Sequence, residues 1–192
     1  MRRFPLNGLL VVMLGLCATA MLAGMGLLLA IAKPTHAGGP DNRAVTIGGL
    51  QYEAMLGRPI NVKASVDRRI VGRLPARERR TGPGEMLFGA FVAIANNSSR
   101  PLRAASSIEL EDNFNRFYRP LRLPPGSPYG YTARSIPPHT RLPGADNPVD
   151  QNLAATGYLL LFRVPTSVFR SGVFQLVIHE PRHPDRTASA VV

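Results

Sequence analysis

The chain has 192 residues, a formal net charge of +11 and a single cysteine. That length suits one domain of ordinary size with a remainder. One cysteine excludes a disulfide-stapled scaffold, so the folded part must hold together by its core alone. Of the 23 basic residues only Lys33 and Lys63 are lysine, and abundant Arg, Ala, Gly and Pro resembles an actinobacterial-like, GC-rich coding bias, which accounts for much of the high pI.

The remainder is at the front. Residues 6–32, "LNGLLVVMLGLCATAMLAGMGLLLAIA", are 27 positions without a charge; as a helix they would extend about 40 Å, more than the roughly 30 Å hydrocarbon core. Arg2 and Arg3 precede them, so the positive-inside rule places residues 1–5 in the cytoplasm and the bulk of the chain outside. This predicts a single-pass signal anchor in the cell membrane, with lipid as its partner. A cleaved, secreted form is the alternative: "THA", residues 35–37, would serve as a cleavage site, but the apolar run is longer than the 7–15 residues of a signal peptide. Cys17 in "LGLC" does not make a lipobox, because Leu16 stands where a small residue is needed, and it reads as a membrane-facing apolar side chain. Without Arg2, Arg3 and Lys33, which flank the anchor, 20 bases face 12 acids, a net of +8 that favours anionic headgroups or envelope polymers.

Residues 33–43, rich in Pro, Gly and polar side chains, predict a linker, and a domain is expected over residues 44–181. Residues 50–67 alternate apolar and polar: Leu50, Tyr52 and Ala54, then Ile60, Val62, Ala64 and Val66, which predicts two half-buried strands. "RRIVGRLPARERRTGPGE", residues 68–85, reads as a basic loop with six arginines. It lacks interleaved aromatics and would lie outside the cell membrane, so it is not read as a nucleic-acid patch; Arg77, Arg79 and Arg80 are candidate anion contacts. "EMLFGAFVAIAN", residues 85–96, is apolar on both faces of a period-two pattern and too short to span a membrane, as a central sandwich strand should be.

Asn96 and Asn97 each open an Asn-x-Ser triplet at the end of that strand. Asn, Ser and the Arg-Pro that follows are turn chemistry, and a turn rather than a glycan acceptor is expected. "SIELED" predicts a strand with Ile108 and Leu110 inward and Glu109 and Glu111 on the solvated face. "DNFNR" makes a hairpin turn and "FYRPL" an edge strand that tolerates Pro120. Residues 122–154 are proline-rich and weakly periodic. There Tyr129, Tyr131, Arg134 and Arg141 combine aromatic area with cations and form a candidate binding surface; the competing reading is a stiffened flap over an open sheet edge. "GYLLLFRVP" predicts a buried strand, "TSVFRSG" a short turn or helix, and "VFQLVIHE" the last strand, with Phe174, Leu176 and Ile178 facing one way. Residues 182–192 offer little to bury and read as a tail.

Seven or so short strands and no long helical pattern after residue 32 predict an all-β, antiparallel β-sandwich behind one transmembrane helix. In arrangement, "GEMLFGAFVAIANNSSRPL", "IELEDNFNRFYRP", a long loop and "GYLLLFRVPTSVFRSGVFQLVI" together resemble the bacterial extracytoplasmic immunoglobulin-like family of unknown function, often labelled telomeric repeat-binding-factor-like. That family is similar in fold to a small secreted mycobacterial antigen. The matching positions are residues 96–99, Asp112 and Tyr118, and residues 157–165. The resemblance implies an envelope-facing sandwich, often on an anchor, with no assigned catalytic residues and no cofactor.

"HEPRH", residues 179–183, formally satisfies H-E-x-x-H, and a zinc hydrolase built on His179, Glu180 and His183 is the alternative function. Pro181, Pro184 and the strand period upstream remove the helix that would bring two imidazoles to one metal. Ser106, Ser107, His139 and Asp146 lack a G-x-S-x-G elbow. The expected role is therefore a non-enzymatic binding or accessory module of the cell envelope, with an envelope protein or anionic polymer as partner.

Overall fold

Strand β3 (Glu85–Asn96) is the axis of the molecule, because its sequence can be buried on both sides. The computed structural model describes residues 43–144 and 157–192, within the compact unit Gly38–Val192. In it residues 87–94 are all buried. Phe88, Ala90, Val92 and Ile94 enter one hydrophobic core, and Leu87 and Phe91 enter a second on the opposite face. β3 pairs along one edge with β2 (Leu50–Pro59), which pairs with β1 (Ala44–Ile47). Its other edge is shared between β9 (Tyr158–Pro165) and β8 (Thr140–Leu142), and every pairing is antiparallel.

A second antiparallel sheet, in the order β11 (Thr187–Val191), β10 (Gln175–His179), β5 (Ile108–Glu111) and β6 (Phe117–Tyr118), closes over the first core. Ile108, Leu110, Phe174, Leu176, Ile178 and Ala190 face Tyr52, Phe88, Tyr158, Leu160 and Phe162 across it. Burying each large apolar side chain contributes about 1.5–3 kcal/mol, so this interface dominates stability. β4 (Leu102–Arg103) and β7 (Ser135–Ile136) form a small ribbon beside it. The all-β antiparallel sandwich expected from the strand pattern is therefore present.

Three expectations are corrected. Residues 60–66 do not form a strand. Ile60 still donates to the Leu87 carbonyl at 2.9 Å, but Asn61 then takes the Lys63 amide on its side chain at 3.0 Å and the Ala64 amide on its carbonyl at 2.9 Å. That turn opens helix α1 (Ser65–Val71). Nor are residues 68–85 a plain loop, since α1 and the single turn α2 (Ala76–Arg79) occupy much of the stretch. Ile70, Val71 and Leu74 are buried over Leu87, Phe91, Leu159 and Leu161, covering the second face of the first sheet. Finally, the stretch read as a tail contains β11, which completes the second sheet and buries Ala190; the domain extends past residue 181. Its small side chains, Thr187, Ala188, Ser189 and Ala190, gave no hydrophobic run to detect, and backbone pairing supplies what they lack.

Helix α3 (Thr166–Ser171) follows β9 directly, seating Val168 in the first core. The predicted span at residues 6–32, the linker to residue 42 and the end of the proline-rich stretch at residues 145–154 lie outside the described residues. Among the described residues no helix is long and apolar enough to cross a membrane.

Candidate functional site

The two stretches proposed as contact surfaces behave differently. The proline-rich loop runs along the edge of β9 that β3 leaves open. The Leu121 amide donates to the Leu161 carbonyl at 2.7 Å, the Leu159 amide to the Tyr129 carbonyl at 2.7 Å, and the Tyr131 amide to the Leu159 carbonyl at 3.1 Å. Those bonds satisfy an edge that would otherwise be a template for pairing.

Its candidate residues are not presented together. Tyr129 packs with Leu121 and Leu123 against the second core, whereas Tyr131 reaches the first. Burial pushes the Tyr131 phenol well above its usual range, with Tyr52 adding to the effect. The Arg134 guanidinium lies 5.4 Å from the Tyr158 ring centre and bonds the Tyr158 hydroxyl. Arg141, on β8, pairs with Glu53 of β2 at 3.0 Å across the sheet. All four thus have partners inside the domain. A cavity of about 360 Å³ remains beneath the loop, between Leu121, Leu123, Pro124, Tyr131 and Leu159.

The arginine stretch has the opposite character. Its apolar side is committed inward, and Lys63, Arg68, Arg69, Arg73, Arg77, Arg79 and Arg80 are all exposed. The two acids within it do little to neutralise them. Asp67 is buried and gripped by Arg58 of β2 at 2.7 and 3.1 Å. Glu78 comes only within 3.9 Å of Arg77, whose side chain is 85% exposed. Arg163 of β9 anchors the stretch by donating to the carbonyls of Glu78 and Arg80 at 3.2 and 3.1 Å. The stretch therefore presents a cationic face over the second side of the first sheet.

Asn96 is wholly buried. Its amide nitrogen donates to the carbonyls of Arg100, Ile136 and Pro137 at 2.8, 2.9 and 3.0 Å, and its oxygen accepts the Ser98 amide and hydroxyl. The turn reading holds there, and of the two triplets only the one at exposed Asn97 is on the surface.

"HEPRH" spans the end of β10 and the turn into β11 rather than a helix. The His179 ring nitrogens lie 3.0 Å from the Pro184 carbonyl and 3.4 Å from Glu109, while Glu180 is 3.9 Å from Arg186. Among the described residues no three His, Cys, Asp or Glu side chains are placed to hold one metal ion.

The residue that sequence reading missed is Asp67, whose only signal was a lone acid among arginines. Asp112, noted for its resemblance, accepts the amides of Phe114 and Arg116 at 2.8 and 3.1 Å, Arg116 Nε at 2.8 Å and the Tyr118 hydroxyl at 2.7 Å. It is a turn organiser with no open coordination.

No known family matches the chain, and no curated protein matches it. Among solved structures it is similar to a candidate lipoprotein of Bacillus subtilis, at 10% identity and a TM-score of 0.47, over 79% of this chain and 38% of that one. It is also similar to a conserved hypothetical protein of Bacillus anthracis, at 9% identity and a TM-score of 0.43, over 78% of this chain and 92% of that one. The chain thus spans well under half of the first protein's length.

Proposed function

We propose that this chain is a membrane-anchored, extracytoplasmic, immunoglobulin-like β-sandwich serving as a non-enzymatic binding module of the bacterial cell envelope, and that the face formed by residues 63–80 holds an anionic envelope polymer. The observation that carries the proposal is the commitment of this stretch: Ile70, Val71 and Leu74 are spent on the core, and seven cations are left on the surface beside a single half-buried acid. A face of one sign concentrates polyanions and speeds their capture, an effect screened within about 10 Å at 0.1 M salt. The uncharged segment at residues 6–32 and the paired Arg2 and Arg3 support the anchored, outward-facing arrangement.

The test is salt elution of the detergent-solubilised full chain from immobilised polyphosphate. The combined Arg77→Glu, Arg79→Glu and Arg80→Glu variant changes three exposed side chains outside the core. It is expected to elute at clearly lower salt than the parent. Elution of both at the same salt would remove this face from the reading.

A further inference from the structure

Among the described residues, four of the five large apolar side chains most open to solvent gather at one end of the sandwich. Phe114 is 58% exposed in the 113–116 turn, Phe117 50% at the start of β6, Phe169 37% on α3 and Val173 58% just beyond it. The elements bearing them touch. Phe114 and Arg116 line a groove with Ser167 and Val168 of α3, and a side chain added at Gly172 would meet the Asn113 amide oxygen at 2.7 Å. Phe169 packs only partly, with its ring centre 6.1 Å from that of Phe88.

Cations frame this patch. Arg116 lies over the Phe114 ring at 5.1 Å, and Arg170 projects from α3 into solvent. The acids at this end are partly answered: Asp112 is neutralised by Arg116 at 2.8 Å, Glu85 stands 3.8 Å from Arg163, and Glu111, beside Phe117, is half-buried. Aromatic rings rimmed by arginine match the boundary between headgroups and acyl chains, where the apolar body is buried and the cation meets phosphate.

The chain's path argues for the same occupant. β1 runs from Ala44, opposite Glu53, to Ile47, while β2 returns towards Pro59 at the patch end. The Arg43 carbonyl accepts the Ala54 amide at 2.7 Å, so the backbone ahead of β1 stands midway along β2 and, traced backwards from β1, heads towards the Pro59 end. Upstream stand 11 linker residues, which reach about 40 Å at most, and then the uncharged segment.

We infer that this end of the sandwich docks on an anionic lipid surface, with Phe114, Phe117, Phe169 and Val173 entering the interface and Arg116 and Arg170 meeting the headgroup phosphates. The inference rests on the reading of residues 6–32 as a membrane span and is separate from the polymer-binding face.

The chain contains no tryptophan, so one indole reports on one place. Full chain carrying Phe114→Trp is reconstituted into vesicles of phosphatidylglycerol with brominated acyl chains, beside full chain carrying Asn97→Trp at the opposite end of β3. Emission from the Phe114→Trp variant is expected to be strongly quenched and that from Asn97→Trp barely changed, with Phe117→Trp repeating the first result. Quenching at neither site, or equally at both, would overturn the docking. Replacing the lipid by brominated phosphatidylcholine should weaken the quenching; an unchanged signal would overturn the role given to the arginines. Release of the chain by an alkaline carbonate wash would overturn the span reading and the docking with it, whereas retention without quenching would overturn the docking alone.

Discussion

Tyr52 and Tyr131 hold the same residue from two directions. The Tyr52 hydroxyl accepts the Ala105 amide at 2.7 Å, and the Tyr131 hydroxyl donates to the Ala105 carbonyl at 2.5 Å. One tyrosine comes from the first sheet and the other from the proline-rich loop, so the buried Ala104–Ala105 corner, the loop and β2 are fixed together. Burial pushes the ionisation of both phenols to higher pH, only partly offset for Tyr52 by the Ala105 amide and then by Tyr131.

Tyr131→Phe keeps the ring and removes the donor, leaving a buried carbonyl short of a partner. A loss of about 1–2 kcal/mol is expected, read as a lower urea midpoint with an unchanged slope. An unchanged midpoint would mean that the hydroxyl serves something other than this corner.

How far the sequence could be read follows from side-chain size and hydrogen-bonding. β3 and β9 were legible because residues 86–95 and 158–162 carry no charged side chain and set apolar side chains on both faces. The hairpin at residues 112–116 was legible from its Asn and Asp. α1 was hidden because four alternating residues, Ile60, Val62, Ala64 and Val66, fit a strand, and the Asn61 turn that ends the alternation is a side-chain bond. β11 was hidden because its residues are small. Of the candidate contacts, Arg77, Arg79 and Arg80 are as exposed as their setting suggested. Tyr131 and Arg134 are engaged by Ala105 and Tyr158, distant partners that composition does not reveal.

Asn96 ties the end of β3 to residues 136 and 137 through one amide. Asn96→Ala strands several buried carbonyls and should cost about 3 kcal/mol. Asn96→Asp, which sets a carboxylate against the same carbonyls, should be worse. Thermal unfolding of both variants beside Asn97→Ala, expected to match the parent, separates the two asparagines. Production in a host that glycosylates Asn-x-Ser sites should place a glycan at Asn97 alone, as mass spectrometry of the peptide would show.

Gly157, immediately before β9, has no room for a side chain. An added Cβ would lie 2.9 Å from the Val92 amide nitrogen and 3.1 Å from the Phe91 carbonyl carbon, and backbone cannot swing aside as a side-chain tip can. Gly157→Ala is therefore expected to lever the start of β9 from β3, at about 2 kcal/mol or more. Amide hydrogen exchange should rise at residues 158–160 before it rises in β10. Uniform loss of protection would instead indicate global destabilisation.

The ion pairs at Asp67 and Asp112 set a direction for acid stability. Burial pushes both carboxyls up. At Asp67 the bonds from Arg58 and the Asn61 amide outweigh it, and at Asp112 so do those from Tyr118, Arg116 and Phe114, leaving each below its ordinary value of 3.8. A carboxyl depressed in the folded state contributes stability that is complete above its unfolded value and is lost as pH falls through the folded one. The urea midpoint should thus be flat from neutral pH to about 5 and fall steeply below about 4. Asp67→Asn keeps the shape but loses the charge opposite the mostly buried Arg58, and should cost about 2 kcal/mol at neutral pH. Because the variant no longer has that carboxyl to protonate, its midpoint should fall less steeply in acid, and the two curves should converge. Parallel curves would show that Asp67 is not among the groups responsible. At the other extreme, burial and then the Asp112 charge push the Tyr118 phenol up to about 12, so its contribution lasts below pH 10 and is lost as pH rises towards 12. An ultraviolet titration of the parent against Tyr118→Phe would resolve the Tyr118 ionisation.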